Sequence, residues 1–179
     1  MNFNIIVAIH SSNRAIGSTK NSIPWNSKED MRYFRKLTMH TDDPNKVNAI
    51  IMGSNTWKSI GSKPLPNRLN IVLSRNMAWM ERSIPENVCV CGSLDEALHM
   101  LSSNTCVESV FVIGGQNVYE QALDHPLCTK IYINKIHVPL NEGVVCNTFF
   151  PQINSKIYHL LHSDEGDECT KQVFCKYNV

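Results

Sequence analysis

A single carboxylate falls on the apolar face of one predicted helix. Ser27 is a suitable N-cap for a helix over about 27–39. At about 3.6 residues per turn, Asp30, Phe34 and Leu37 lie on the same face of that helix. A single carboxylate on an apolar helix face is unusual and indicates a functional role. Ser27-x-x-Asp30 also fits a capping box, whose acid only accepts from backbone N–H groups, so both interpretations stay open.

A second group of candidate residues follows the predicted strands. Ligands of open α/β sheets bind outside the carboxyl ends of the strands. Segments 53–56, 74–75 and 114–117 stand at such ends, where helix N-termini attract phosphate. Gly114 and Gly115 lack Cβ atoms where a pyrophosphate would approach the backbone, although such turns are also common for steric reasons. Together the segments favour a nucleotide cofactor, while the sequence contains neither a GxGxxG nor a Walker pattern.

Arg68 is a candidate for carboxylate binding. It follows a Pro-Leu-Pro turn at 64–66 that restricts its backbone, a setting that suits a bidentate contact with a carboxylate. A solvated arginine on the surface is the ordinary alternative for this residue type. The sequence around Arg68 leaves both interpretations open.

The composition excludes several classes of function. The chain has 179 residues, of which 42% are hydrophobic and 18% charged, as expected of a single globular domain over 1–179. The formal net charge of +1 argues against bulk attraction to nucleic acid or to an anionic membrane. No apolar run approaches the roughly 18 residues of a membrane span, and the first residues do not resemble a signal peptide. We therefore expect a cytoplasmic protein that binds neither nucleic acid nor membrane.

The cysteines and histidines do not form a metal-binding pattern. None of the seven cysteines belongs to a CxxC pair, and the seven histidines lack the HExxH and HxxxH spacings. An odd number of cysteines without a secretory signal indicates reduced thiols. We expect no metal cofactor.

Hydrophobic patterning predicts strands and helices that alternate and then end in a run of strands. Strands are expected at 4–9, 47–52, 69–73, 88–91, 107–113, 130–136, 157–162 and 172–176. Helices are expected at about 27–39, from 54, at 93–103 and at 116–123, and loops at 10–22, 76–87 (with a helical turn) and 163–168. The simplest arrangement is an α/β fold with an open, mostly parallel central sheet of roughly eight strands, flanked by helices and ending in an antiparallel C-terminal hairpin.

Several short motifs occur together along nearly the whole chain. They are Ile16-Gly17, Ile23-Pro-Trp25, Asp30-x-x-x-Phe34, Ile51-Met-Gly-x-x-Thr-Trp57, Pro64-Leu-x-x-Arg68, Leu73-Ser-Arg75, Phe111-Val-Ile-Gly-Gly-x-x-Val-Tyr119 and Thr148-Phe-Phe-Pro151. Each is modest alone, but the set and its order resemble dihydrofolate reductase. The resemblance implies that family's fold and a monomeric, NADPH-dependent oxidoreductase that converts 7,8-dihydrofolate to 5,6,7,8-tetrahydrofolate. The product would serve thymidylate and purine synthesis, and antifolate inhibitors would be ligands.

The resemblance also implies roles for the residues of a substrate site. Asp30 would bind the 2-amino group and N3 of the pterin, and a water near Trp25 would protonate N5 while hydride goes to C6. Arg68 would hold the glutamate α-carboxylate. The pterin and aminobenzoyl groups would be bordered by Ile6, Val7, Ala8, Met31, Phe34, Arg35, Ile60, Leu65, Ile113, Tyr119 and Asn134.

A cofactor site is implied in the same way. Its residues would contact the nicotinamide, the ribose groups and the phosphates of NADPH. They are Ala8, Ile16, Gly17, Ser22, Ser54, Asn55, Thr56, Leu73, Ser74, Arg75, Gly114, Gly115, Gln116, Asn117, Val118 and Tyr119.

The chain departs from the family pattern at a few positions. Ser54-Asn55 stands where a basic residue usually follows Met-Gly, and Gly92 stands where animal-type members place an arginine. Arg75 is then the clearest cation for the 2′-phosphate, so we expect NADPH to be preferred over NADH by a smaller margin than usual. Asn134 replaces a threonine that supports the acid, and Met31 replaces the usual Phe or Leu.

Two other functions are compatible with parts of the pattern. A pyrimidine reductase of riboflavin synthesis would share the fold and the cofactor, but the helix with Asp30 and the presence of Arg68 argue against it. A folate- or nucleotide-binding protein without catalysis is supported only by the unusual residues Ser54, Asn55 and Asn134.

Overall fold

An eight-stranded sheet forms the centre of the protein in the computed structural model, which describes residues 1–76 and 84–177. Its strands, together with the two strands of a smaller sheet, are β1 (Phe3–His10), β2 (Ala15–Ser18), β3 (Val47–Gly53), β4 (Arg68–Leu73), β5 (Val88–Cys91), β6 (Val107–Val112), β7 (Cys128–Ile136), β8 (Cys146–Phe149), β9 (Tyr158–Glu165) and β10 (Cys169–Lys176). The helices in the described residues are α1 (Lys28–Met39), α2 (Ser54–Ser59), α3 (Leu94–Ser102) and α4 (Gln116–Asp124).

The strand order of the large sheet is β5-β4-β3-β6-β1-β7-β10-β9. Neighbouring strands from β5 to β7 are parallel, whereas β10 pairs antiparallel with both β7 and β9. This topology confirms the predicted open, mostly parallel sheet with an antiparallel hairpin at its C-terminal edge. Within the described ranges, no helix is long and apolar enough to span a membrane.

The central strands are continuous apolar runs because helices cover both faces of the sheet. Residues 49–52 of β3 are fully buried. On one face α1 and α2 pack through Phe34 and Trp57, and on the other α3 and α4 pack through Leu98 and Ala122. The alternation of side chains along each strand therefore supplies both apolar layers at once.

The structure corrects three of the expected boundaries. The predicted loop 10–22 contains β2, which pairs antiparallel with β8, a strand that the sequence also did not predict. These strands have only four residues each and no clear alternation, so their pairing depends on a partner far away in the chain. β9 continues through the first part of the predicted loop 163–168, because this exposed edge strand tolerates polar residues. The helical turn expected within 76–87 falls largely on residues 77–83, outside the described ranges.

A buried amide fixes the end of α1 against the sheet. Asn48 of β3 is 1% exposed, and its Nδ2 donates to the carbonyl oxygens of Thr38 at 3.1 Å and His40 at 2.7 Å. Its Oδ1 accepts from the N–H of Ser109 in β6 at 3.0 Å. One side chain thus satisfies the C-terminal carbonyls of α1 and joins them to two central strands.

We expect Asn48→Ala to lower the free energy of unfolding by about 2–4 kcal/mol, because it leaves one buried and two partly buried hydrogen bonds of the backbone unmade. Denaturant unfolding of both proteins measures the difference. Asn45→Ala, an exposed amide in the preceding turn, is the matched control and should change stability by no more than about 0.5 kcal/mol. Equal stabilities for the two variants would contradict the role of Asn48.

Candidate active site

A cleft of about 1390 Å³ opens at the carboxyl ends of β1, β3, β4 and β6. The first turns of α1, α2 and α4 border it, together with segment 16–25, which begins within β2. The location is the one expected for a ligand site of an open α/β sheet. Its size exceeds that needed for one small molecule and allows two ligands to lie side by side.

Asp30 lies in the first turn of α1 and faces the cleft. The carboxylate-bearing residue is 8% exposed, and its N–H donates to the Ser27 side chain at 3.1 Å. Its Oδ1 accepts from Asn134 Nδ2 on β7 at 2.7 Å. Ser27 therefore caps the helix, while the carboxylate of Asp30 points toward the sheet and accepts from a side chain there. The capping-box interpretation of the acid is not supported, and its functional role remains a prediction.

Burial is the main influence on the acidity of Asp30. Desolvation raises the pKa of its carboxyl above the ordinary value, the hydrogen bond from Asn134 opposes this, and the charge of Glu29 adds to the rise. The carboxyl of Asp30 therefore holds its proton to a higher pH than an exposed aspartic acid does.

Asn134 supports the acid from within the sheet. It is 2% exposed and pairs in register with Ala8 of β1 on one side and Lys171 of β10 on the other. Its Oδ1 is buried and has no hydrogen-bond partner among the described residues. An amide can donate to an ionised carboxylate or, after it flips, accept from a protonated one, so Asn134 suits both states of Asp30.

Arg68 borders the far side of the same cleft and is held in one orientation. Its Nε donates to the Pro66 carbonyl at 3.0 Å, and its Nη1 donates to Thr38 Oγ1 at 2.8 Å. The guanidinium carbon lies 5.9 Å from the centroid of the Phe34 ring. Partial burial and the nearby Arg35 lower the pKa of Arg68, which still carries its charge. This fixed, half-buried cation is not the solvated surface arginine of the alternative interpretation.

Tyr119 of α4 closes the floor of the cleft. It is 4% exposed, and its hydroxyl donates to the Ile6 carbonyl of β1 at 2.9 Å. Burial, with a smaller contribution from the charge of Asp30, raises the pKa of this phenol. Tyr119 therefore stays neutral and ties α4 to the strand that borders the site.

The glycine turn before α4 packs closely against neighbouring side chains of the protein. A Cβ on Gly114 would lie 3.2 Å from Tyr119 and 3.3 Å from Thr56 Oγ1, and Gly114 has a φ of +122°. The Gly114–Gly115 peptide bond is cis. The N-cap of α4, Gly115, offers no side-chain hydrogen bond, so the helix presents uncapped N–H groups at the cleft. The uncapped N–H groups fit an anion such as the pyrophosphate of a dinucleotide.

The end of the cleft that follows β4 and β5 contains both a cation and an acid. Arg75 and Gly92 line the cleft there. The Gly92 N–H donates to Glu96 Oε2 at 2.7 Å, as part of a capping box whose Ser93 side chain accepts from the Glu96 N–H at 3.1 Å. An anion bound at Gly92 must therefore compete with a carboxylate of the protein itself.

The sequence profile of the dihydrofolate reductase family matches residues 2–178. The chain belongs to this family. It is 38% identical over 162 residues to a dihydrofolate reductase of Heliothis virescens, and this match covers 89% of this chain and 85% of that protein. It is 39% identical over 155 residues to the enzyme of Drosophila melanogaster, with 86% and 81% of the two chains covered. A bifunctional dihydrofolate reductase-thymidylate synthase of Daucus carota is 39% identical, and there the match covers 88% of this chain but 30% of the longer protein.

The cleft brings together all but one of the residues that the family resemblance placed in the site. Asn134 is the exception, because it lies behind Asp30 and supports it without lining the cleft. The roles of the lining residues remain predictions. Gly53 and Gly92, which the sequence placed at a strand end and near the 2′-phosphate, also line the cleft. Further lining residues were not predicted: Ser18, Thr19, Asn21, Ile23, Ser59, Ser93, Leu94, Glu120, Gln121, Asn147 and Thr148.

Most of these additional residues could not have been found from local sequence. Thr148 and its neighbour reach the cleft because β8 pairs with β2, where a Cβ on Gly17 would lie 2.5 Å from Thr148 Oγ1. The motifs that contain Gly17 and Thr148 were the only available signal. Their contact is a product of the tertiary fold.

The raised pKa of Asp30 predicts a pH-dependent stability difference between the protein and its Asp30→Asn variant. As pH rises, the unfolded chain releases this proton first, so the buried acid reduces the stability of the wild type above the ordinary carboxyl pKa. We expect Asp30→Asn to gain stability relative to wild type on going from mildly acid to neutral pH, as measured by denaturant unfolding at both. The exposed Asp167→Asn variant is the control and should not reproduce the trend. A difference that does not vary with pH would contradict the burial penalty.

Proposed function

We propose that this protein reduces 7,8-dihydrofolate to 5,6,7,8-tetrahydrofolate with NADPH, and so supplies thymidylate and purine synthesis. The observation that carries the proposal is the buried Asp30 carboxylate, which lies in the same cleft as the glycine turn at the N-terminus of α4. Membership of the dihydrofolate reductase family supports the same reaction.

The pterin is assigned to the part of the cleft between α1 and β1. Ionised Asp30 accepts hydrogen bonds from the 2-amino group and N3 of the ring, since a carboxylate offers two acceptor oxygens on one edge. Ile6, Val7 and Phe34 line this region and supply apolar contacts for the ring and the aminobenzoyl group. Arg68 then binds the α-carboxylate of the glutamate tail, because its guanidinium is already oriented by Pro66 and Thr38.

Proton delivery is assigned to Asp30 and a water beside Trp25. Trp25 is 5% exposed, packs near His10 with 6.1 Å between ring centroids, and lines the same cleft as Asp30. When bound, the reduced nicotinamide supplies the hydride that is added at C6. Asp30 stabilises the ring protonated at N5, where the positive charge develops.

The cofactor assignment follows from the shape of the remaining cleft. Gly114, Gly115 and the uncapped start of α4 fit the pyrophosphate, and Thr56 of α2 lies beside them. Ser74 and Arg75 are assigned to the 2′-phosphate. The Glu96 carboxylate near Gly92 opposes that anion, which supports a reduced preference for NADPH over NADH.

Purified protein with dihydrofolate and either cofactor tests the reaction and the preference together. We expect the nicotinamide absorbance to fall with both cofactors, and kcat/KM to be higher for NADPH because Arg75 can pair with its 2′-phosphate. Arg75→Ala should reduce the NADPH value by about 10-fold or more and leave the NADH value nearly unchanged. Equal values for the two cofactors in the wild type would overturn the NADPH assignment, and binding without turnover would indicate a protein that has lost catalysis.

Asp30→Asn tests the role of the acid. The variant keeps an acceptor oxygen for Asn134 but cannot hold the charge or the proton, so we expect hydride transfer at neutral pH to fall by on the order of 10²–10⁴. Single-turnover kinetics measure this step, and circular dichroism shows whether the variant stays folded. Wild-type rates in the folded variant would reject the catalytic role of Asp30 and leave its carboxylate only as a partner of Asn134.

A further inference from the structure

Two carboxylates join the turn between β9 and β10 to the first turn of α1. Glu168 Oε2 accepts from Ser27 Oγ at 2.6 Å and from the Glu29 N–H at 3.0 Å. In return, Glu29 Oε2 accepts from the Glu168 N–H at 2.9 Å, and Lys171 Nζ donates to Glu29 Oε1 at 2.5 Å. We call Ser27, Glu29, Glu168 and Lys171 the hairpin clasp. It connects segments that are 141 residues apart at Ser27 and Glu168.

The clasp fixes how Ser27 uses its single hydroxyl proton. Ser27 Oγ accepts from the Asp30 N–H at 3.1 Å, and a hydroxyl has one proton and two acceptor lone pairs. Because the Glu168 carboxylate is a strong acceptor, the Ser27 hydroxyl donates its hydrogen bond to Glu168. A lone pair of Ser27 Oγ is then left to accept from the Asp30 N–H. Glu168 also satisfies the free Glu29 N–H and places a negative charge at the N-terminus of α1, where the helix dipole favours it.

The clasp closes a ring of contacts around the proposed catalytic acid. Asp30 is bonded to Asn134, and Asn134 pairs in register with Lys171 in the β7–β10 ladder. Lys171 holds Glu29, the residue that precedes Asp30 in the chain. The hairpin therefore reaches Asp30 from two directions, through the side-chain support of Asn134 and through the backbone of the first helical turn.

Packing and charge both favour a closed clasp. A Cβ on Gly166 would collide with Glu29 Oε1, so the absence of a side chain at this position allows the turn to approach α1. The hydrogen bond from Lys171 lowers the pKa of Glu29. The Ser27 hydroxyl and the Glu29 N–H lower the pKa of Glu168. Both carboxylates are therefore ionised at neutral pH and act as acceptors.

We propose that Glu168 is a positioning residue for the reaction and acts through Ser27 to hold the Asp30 carboxylate in its catalytic geometry. This rests on the proposed function of Asp30. Glu168 itself stands outside the lining of the cleft, so its effect must pass through the clasp. The hairpin at the sheet edge is thereby part of the catalytic apparatus without touching the substrate.

Glu168→Ala tests the proposal through single-turnover hydride transfer measured across pH. We expect the rate constant at neutral pH to fall by about 3–10-fold, because a loosened first turn misplaces the acid. The midpoint of the pH profile should move to lower pH, since water that reaches Asp30 relieves the desolvation that raises its pKa. Glu168→Gln, whose amide oxygen can accept the same two hydrogen bonds, should restore the rate to within about 2-fold of wild type.

Asp167→Ala is the matched control. Asp167 is exposed in the same turn and carries the same charge as Glu168, and the clasp does not include it. Removal of the Asp167 carboxylate reproduces any long-range effect of lost charge on Asp30, Glu29, Arg32 and Lys171. We expect the rate and the pH profile of Asp167→Ala to equal those of the wild type. The same change in both alanine variants would reduce the effect to net charge and overturn the proposal.

A wild-type rate and pH midpoint in Glu168→Ala would also overturn the proposal, even if its melting temperature falls. If that variant does not fold, Gly166→Ala replaces it, because the new methyl displaces the Glu29 carboxylate without removing a charge. The same shift of the midpoint is expected, and an unchanged midpoint rejects the clasp. If hydride transfer is slow in Asp30→Asn but normal in the clasp variants, only this inference is rejected. If hydride transfer is normal in Asp30→Asn, the proposed function itself is rejected.

Discussion

The burial of one carboxylate in an apolar cleft is the constraint around which this structure is arranged. An ionised acid removed from water is unfavourable unless donors are placed beside it. Asn134 provides such a donor from the central sheet, and Ser27 fixes the helical turn that carries Asp30. The remaining penalty keeps the pKa of Asp30 raised. Stability is thus given up at the position that we propose for the catalytic acid.

The parallel sheet explains why Asp30 and the glycine turn at 114–115 border one cleft. Parallel strands bring their carboxyl ends to the same edge, and the helices that follow them point their N-termini there. The glycine turn after β6 and the start of α4 therefore meet the end of β1, whose other neighbour, β7, carries Asn134. Two ligands of different chemistry can lie side by side because one edge of one sheet serves both.

The departures from the family pattern occur at supporting positions. Asn134 keeps a hydrogen bond to the acid, but it adds a buried acceptor atom that a threonine would not place in the same way. Gly92 removes a cation, and its N–H is taken by Glu96. Each change leaves the cleft intact and alters the charge or the hydrogen bonding next to one group. Asn134 therefore affects the pKa of Asp30, and Gly92 affects the affinity for the cofactor phosphate, more than either affects the class of reaction.

The sequence by itself determined the buried strands β1 and β3, the helix capped by Ser27, and the strand ends that form the cleft. These features depend on apolar periodicity and on neighbours within one helical turn, which are local properties. Tertiary structure alone decided the β2–β8 pair, the bond between Asp30 and Asn134, the orientation of Arg68 and the contact of Glu168 with α1. Each of these joins residues far apart in the chain, and their meeting depends on strand register and loop closure that no local pattern encodes.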